Sequence, residues 1–408
     1  MGQAAFDFDT SPPAFETDTA FEIGWDFAHF ALTPPGEHLQ PGSALQQGFD
    51  AGRASFGTRT LAPTQHTRKW LQLRLNAWRR GRIFEGLQVT PNYLSQIDTT
   101  HCPITRETLT HATCTTSDAS IDRVRNDAGY AAGNLVVMST RANAAKGDAD
   151  FDTALTQMRL AEAAVGEDAS RPDPDEPAKL TAAQWARIAV LCSFVTELGH
   201  DQAATLPLLV LPPNRLRLFN PVQALQAVVT RQFAQPRWTT RVARIAALLP
   251  GKSVRRDFHV FVNALLPRVI EAGPQADAHA TRWTLEDAWR NPLVLRCWTR
   301  FALQLDATQA ERIVLRASEL RLCDRFAVAT SLAQATEGWG LAQGGHVRAN
   351  DATALPRPRR PRPAPRLGSA QSAIGSAGHA TGDDAAPLVL GWRLPPSGQA
   401  GSVMSALV

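Results

Sequence analysis

The stretch SIDRVRNDAGYAAGNLVVMSTRANAAKGD, residues 120–148, gathers oxygen-bearing and cationic side chains at close spacing. Asp122 ends a short polar run and is followed by Arg123; Asn134 precedes the apolar run Leu135 to Met138; Asn143 and Lys146 fall three residues apart on a helix-like segment that Gly147 closes. Aspartate and asparagine in such a segment either satisfy the backbone of a turn or turn their oxygens toward a ligand. Arg123 narrows the chemistry. A guanidinium, with a pKa of about 12 or more, stays protonated at any working pH, so it can clamp a phosphate but cannot take a proton from water. A second basic group lies upstream in TRKWLQLRLNAWRRGRIFEG, which starts at Thr67. There Trp70, Leu71, Leu75 and Trp78 recur at helical spacing, with Arg68, Lys69, Arg74, Arg79, Arg80 and Arg82 around them. Cations interleaved with indoles suit phosphate contact and stacking on bases or sugars; the competing reading is core tryptophans and a solvated arginine face.

The elements that must position these residues follow from local signals. RNDAGYAAGN is a loop between two short runs, so residues 120–148 predict strand, loop, strand and helix. A short helix, TPNYLSQI, and a cysteine-containing turn precede that unit, and the helix FDTALTQMRLAEAAV is expected to pack behind it. The basic helix should end near Gly81. Residues 1–60 form an acidic, aromatic segment in which Pro34, Pro35 and Pro41 limit any helix to short pieces. Residues 61–165 hold the basic helix and the strand-loop-strand-helix unit. GEDASRPDPDEPAK, 166–179, has the composition of a linker. Residues 180–345 carry amphipathic segments and predict a mostly helical domain in which Trp185, Trp238, Trp283, Trp289 and Trp298 are core. The tail, 346–408, includes PRPRRPRPAPR and lacks the apolar surface to offset chain entropy, so disorder is expected, with polyproline character from Pro356 to Pro365.

With CPITRETLT, residues 102–110, upstream of it and following His101, the 120–148 string resembles the ββα-metal core of HNH (His-Me finger) endonucleases over about residues 100–148. The resemblance implies an α+β unit in which Asp122 and Asn143 hold Mg²⁺ or Mn²⁺, since a hard cation is satisfied by few protein oxygens when a phosphate and waters complete its shell. It implies that Asn134 ties the loop down and orients the base. The family's general-base histidine position holds Arg123, and His101 or His111 are the candidate substitutes. Losing a general base costs about 10²- to 10⁴-fold in rate. The family's structural zinc pairs would fall at Cys102 and Thr105 and at Ser139 and Ala142, which leaves one thiolate of four, so packed thiols are expected in place of a zinc site.

The rest of the chain bounds the function loosely. A net charge of +4 over 408 residues does not by itself announce a polyanion binder, but its distribution is uneven: no Lys or Arg occurs from Met1 to Gly52. Five scattered cysteines fit a reducing compartment better than a disulfide framework. With no secretory leader pattern and no apolar run near 18 residues, a cytoplasmic location without a membrane is expected. The leading expectation is a metal-dependent phosphodiesterase of HNH type, or a protein derived from one, acting on DNA or RNA. Arg68, Lys69, Arg74, Arg79, Arg80 and Lys146 are its expected nucleic-acid contacts. The alternatives are a noncatalytic nucleic-acid-binding module with a degenerate site, and a protein-interaction factor acting through the helical domain or the Pro/Arg tail.

Overall fold

The structure, a computed structural model, describes residues 14–167, 179–273, 277–323 and 336–347. Most of the expected linker and the tail beyond Val347 therefore lie outside the described residues. The chain is α+β and mostly helical, with one two-stranded antiparallel sheet among the described residues.

A small core forms at the N-terminal end. Helices α1 (Ala14–His29), α2 (Ala44–Phe56) and α3 (Gln65–Arg79) enclose Ile23, Phe27, Leu45, Phe49, Leu71 and Leu75. Glycine lets the first two approach to backbone contact: a Cβ at Gly24 would collide with the carbonyl of Leu45, and one at Gly48 with that of Phe21. The helix α3 starts at Thr64, whose hydroxyl accepts from the Thr67 amide at 3.1 Å, and it is followed by Gly81 at φ 56°. A left-handed turn there favours glycine.

The larger core begins with α4 (Pro91–Ile97) and the hairpin of β1 (Ala119–Arg123) and β2 (Leu135–Ser139), whose register sets Asp122 opposite Val136 and Arg123 opposite Leu135. Every residue of β2 is buried, as its unbroken apolar run requires. Ser139 ends the strand and caps α5 (Thr140–Lys146), and α6 (Phe151–Glu167) follows. Beyond the linker come α7 (Ala182–Ser193), α8 (His200–Ala204), α9 (Pro221–Gln232), α10 (Trp238–Leu248), α11 (Lys252–Glu271), α12 (Ala278–Ala288), α13 (Pro292–Ala302) and α14 (Ala307–Glu319).

Helix α9 lies at the centre, buried from Val222 to Gln232. A helix without a solvent face must satisfy its polar side chains internally. Gln223 donates to the Ser193 hydroxyl at 2.8 Å, Gln226 to the Leu206 carbonyl at 2.9 Å, and Thr230 accepts from the Trp289 indole at 3.1 Å. Trp289 and Trp298 are core residues, packed with Phe258, Phe261 and Phe301; Trp185 and Trp238 pack on the core from partly buried positions, and Trp283 is half-buried.

One hydrophobic cluster runs from Leu73 through the hairpin to α14 and Trp339. The regions on either side of 166–179 thus share a core. Arg187 of α7 donates to the Ile104 carbonyl at 2.9 Å, the Arg217 amide to Gly133 at 3.0 Å, and the Trp339 indole to Ala132 at 3.1 Å. No helix of the described residues is long and apolar enough to cross a membrane.

Candidate functional site

Alternation along β1 turns Ser120 and Asp122 to the same face, and α5 lies across that face. Residues two apart on a strand are separated by about 6.6 Å, close to the spacing of residues three apart on a helix. The two elements therefore pair side chain for side chain. Asn143 donates its amide to the Ser120 hydroxyl at 2.7 Å, and the Lys146 ammonium stands 3.0 Å from Oδ2 of Asp122. Lys146 also donates to the Arg123 carbonyl at 3.1 Å. The Lys146 side chain is 0% exposed and that of Asp122 6%, so this ion pair is sealed from water. Burial pushes the Asp122 carboxyl above its ordinary range, and the charges of Lys146 and Arg123 pull against that rise. The ammonium lies at ionic distance from Oδ2 without the alignment of a hydrogen bond.

Asn134, fully buried at the mouth of β2, holds the loop between the strands. Its Oδ1 accepts from the Arg125 amide at 2.9 Å, and its Nδ2 donates to the carbonyls of Arg125 and Gly129 at 3.0 and 3.1 Å. The Gly133 amide donates to the Tyr93 hydroxyl at 2.9 Å, and burial raises that phenol to about 12. At Gly129 a Cβ would fall 2.7 Å from the Ile83 carbonyl oxygen, so the loop closes only around glycine.

Arg123 points to the other face of β1. Its Nη1 donates to the carbonyls of Asn126 and Ala128 at 3.0 and 2.7 Å, and its guanidinium lies 5.2 Å from the centre of the Tyr130 ring. Arg82 reaches the same place, donating to Asn126 at 3.4 Å and to Gly344 at 3.2 Å.

The two candidate histidines sit elsewhere. His101 hydrogen-bonds Thr100 and Thr108 and packs on the helical region, 4.2 Å from the His279 ring and 5.4 Å from Trp283. His111 is exposed on a threonine-rich loop. Neither imidazole has a hydrogen bond, ion pair or ring contact to Asp122, Asn134 or Asn143 among the described residues.

The four positions that the resemblance assigns to zinc do converge. Cys102, fully buried, accepts at Sγ from the Thr105 amide at 3.4 Å and from the Ser139 hydroxyl at 3.5 Å, and Ser139 accepts from the Ala142 amide at 3.3 Å. One thiol and one hydroxyl bridge two turns of the same i to i+3 geometry. No group of three or more His, Cys, Asp or Glu suited to a metal ion occurs among the described residues.

The basic helix splits into two sets. Arg74 is turned inward, paired with Asp26, 3.7 Å from Glu22 and stacked 4.7 Å from the Trp70 ring. Lys69 donates to the Ala119 carbonyl at 3.2 Å, and the Trp70 indole to Val89 at 2.7 Å. These groups, and the buried Lys146, are placed to hold elements together and not to face a polyanion. Arg68, Arg79 and Arg80 remain exposed. Arg82 has no distinguishing signal in the sequence, because its place beside Arg123 depends on the turn after Gly81. Comparison of the chain with protein-family models, with curated proteins and with solved structures returned no match.

Proposed function

We propose that this chain is a noncatalytic nucleic-acid-binding module, built on a His-Me-finger-like strand-loop-strand-helix unit whose cation position has been taken by a lysine. The observation that carries the reading is the Lys146 ammonium 3.0 Å from Asp122 with both side chains buried. A divalent cation at Asp122 would have to share that carboxylate with a positive charge that has no path to solvent. The second expected ligand, Asn143, turns its amide nitrogen to Ser120, and no third acid or imidazole adjoins them among the described residues. The residues present do not fit Mg²⁺ or Mn²⁺, which need converging oxygens. Arg123 stands where the family has its base, and a guanidinium accepts no proton. What the unit retains is a set of outward cations: Arg68, Arg79 and Arg80 on and just after α3, with the arginines of the Pro/Arg tail following in sequence.

The experiment pairs supercoiled plasmid with the full chain in Mg²⁺ or Mn²⁺, and measures binding of a duplex DNA and of a single-stranded RNA across salt concentrations. The expected result is retention that weakens steeply with salt, with no nicking. Metal-dependent nicking that disappears in Asp122→Asn would return the chain to the nucleases. Absence of binding to either polymer at low salt would remove the nucleic-acid reading.

A further inference from the structure

We infer that Arg82 and Arg123 together form a clamp for a single phosphate group. They come from separate segments and converge on one carbonyl oxygen, that of Asn126, at 3.4 and 3.0 Å. Bringing two guanidiniums together costs Coulomb energy unless an anion lies between or beside them. Among the described residues neither has a carboxylate within salt-bridge distance. Asp127 is engaged by Arg125 at 2.8 and 2.9 Å and Asp122 by Lys146, while the exposed Asp148 acts on Arg82 only from beyond salt-bridge distance. Arg74, Arg106 and Arg282, in other half-buried settings, each meet at least one carboxylate. At Arg82 and Arg123 the fold supplies carbonyl oxygens, which orient a guanidinium without cancelling its charge.

The donors left over suit an oxyanion. A guanidinium has five N–H bonds, and in both residues Nη1 alone has a hydrogen-bond partner among the described residues. The remaining edges can form the paired N–H to oxygen bonds that favour arginine at phosphates. The positions are fixed from behind: Arg123 by Tyr130, and Arg82 by its backbone bridge to His346, which sets an exposed imidazole beside it. Asn126, whose carbonyl both arginines share, is anchored by its own amide to Gly147 at 3.0 Å. Burial and the Arg123 charge lower the Arg82 pKa, and Asp148 and Tyr130 only partly offset them, which agrees with two cations close enough to repel.

As a contact to a nucleic-acid phosphate the clamp rests on the function proposed above; as a site for a free phosphate ester it does not. The test uses the full chain with Arg82→Gln, Arg123→Gln and the double variant, with Arg82→Lys and Arg123→Lys as charge-keeping controls. Probes are a 20-base-pair duplex, a single-stranded RNA, and inorganic phosphate followed by ³¹P line width. If the polymer is the ligand, the double variant lowers duplex affinity about 10-fold or more and reduces the slope of log affinity against log salt by about 1, the value for one phosphate. Each single variant already loses most of that effect, because both residues hold the same group, and the lysine variants fall between. If wild type broadens the phosphate line, the double variant does not, and neither the duplex nor a single-stranded RNA binds, the clamp stands on a free phosphate and the nucleic-acid module falls. If duplex binding and salt slope are unchanged in the double variant, the module stands and the clamp is wrong. If neither probe distinguishes wild type from a double variant with wild-type circular dichroism, the clamp is likewise overturned.

Discussion

On one face of β1, Asp122 meets the Lys146 ammonium at 3.0 Å with both side chains sealed from solvent; on the other, Arg123 lies over Tyr130 beside Arg82, with no carboxylate at salt-bridge distance among the described residues. The two residues are adjacent in sequence, and the pleat alone sends them apart. A charge in the packed interior must be neutralised within the protein, because the desolvation cost of an unpaired ion there exceeds what a marginally stable fold can carry. A half-buried charge at the rim is under no such demand and can wait for a partner from outside. The hairpin therefore has one closed charge site and one open one, and it is to the open one that the binding proposed above is assigned.

The largest effect is expected at Lys146. Lys146→Met strands the buried Asp122 carboxylate and should cost about 3–5 kcal/mol, read as a lower denaturant midpoint. Adding Asp122→Asn should recover most of the loss, since neither member then carries charge. In the single variant Asp122 rises further above its unfolded value, so protonation favours the folded state: the charge-dependent deficit should be complete above the raised value, shrink as pH falls through it, and be gone below about pH 4. A Lys146→Met chain as stable as wild type at pH 7 would mean that the pair is not closed.

Asn134 comes next. Its three hydrogen bonds hold the loop whose Asn126 and Ala128 carbonyls orient Arg123. Asn134→Ala should cost about 2–3 kcal/mol by leaving buried backbone groups unpaired, and should weaken phosphate binding as well. Stability loss with unchanged binding, at a temperature where the variant is folded, would separate the loop from the open face.

The smallest effect is expected at Asp118, which lies outside the pair. Its carboxylate is satisfied by neutral donors: the hydroxyls of Thr113 and Thr110 at 2.6 and 2.7 Å and the amides of Thr113 and Cys114. Those bonds hold its pKa well below the carboxylate range. The stability it contributes is full above the unfolded value, about 3.9, and is lost as pH falls through the depressed one. Melting of the wild type should therefore become more acid-sensitive than that of Asp118→Asn only below about pH 4. Parallel curves from pH 5 to pH 2 would show that the threonine loop does not hold the carboxylate.

Order along the hairpin was legible because it is local. RNDAGYAAGN reads as a loop between strands, and Gly147 closes a short helix, from residue types alone. The direction of the charges was not, because their partners are remote in sequence. Lys146 meets Asp122 only after α5 folds back over β1; Arg74 finds Asp26 forty-eight residues away; His101 is drawn to His279 across 178 positions. A cation in a helix with tryptophans reads as a binding face until the acidic segment that covers it is placed. The Cys102 to Ser139 contact is a middle case: the four positions could be named in advance, but their convergence without four thiolates needed the packed turns.

Whether the Lys146 ammonium takes the place of a divalent cation at Asp122 is read from titration of the chain with Mn²⁺, followed by the loss of the free-ion electron paramagnetic resonance signal. Wild type and Asp122→Asn should leave the same free Mn²⁺ concentration at every point of the titration. A saturable site in wild type that vanishes in Asp122→Asn would contradict the account and place a metal where Lys146 now stands.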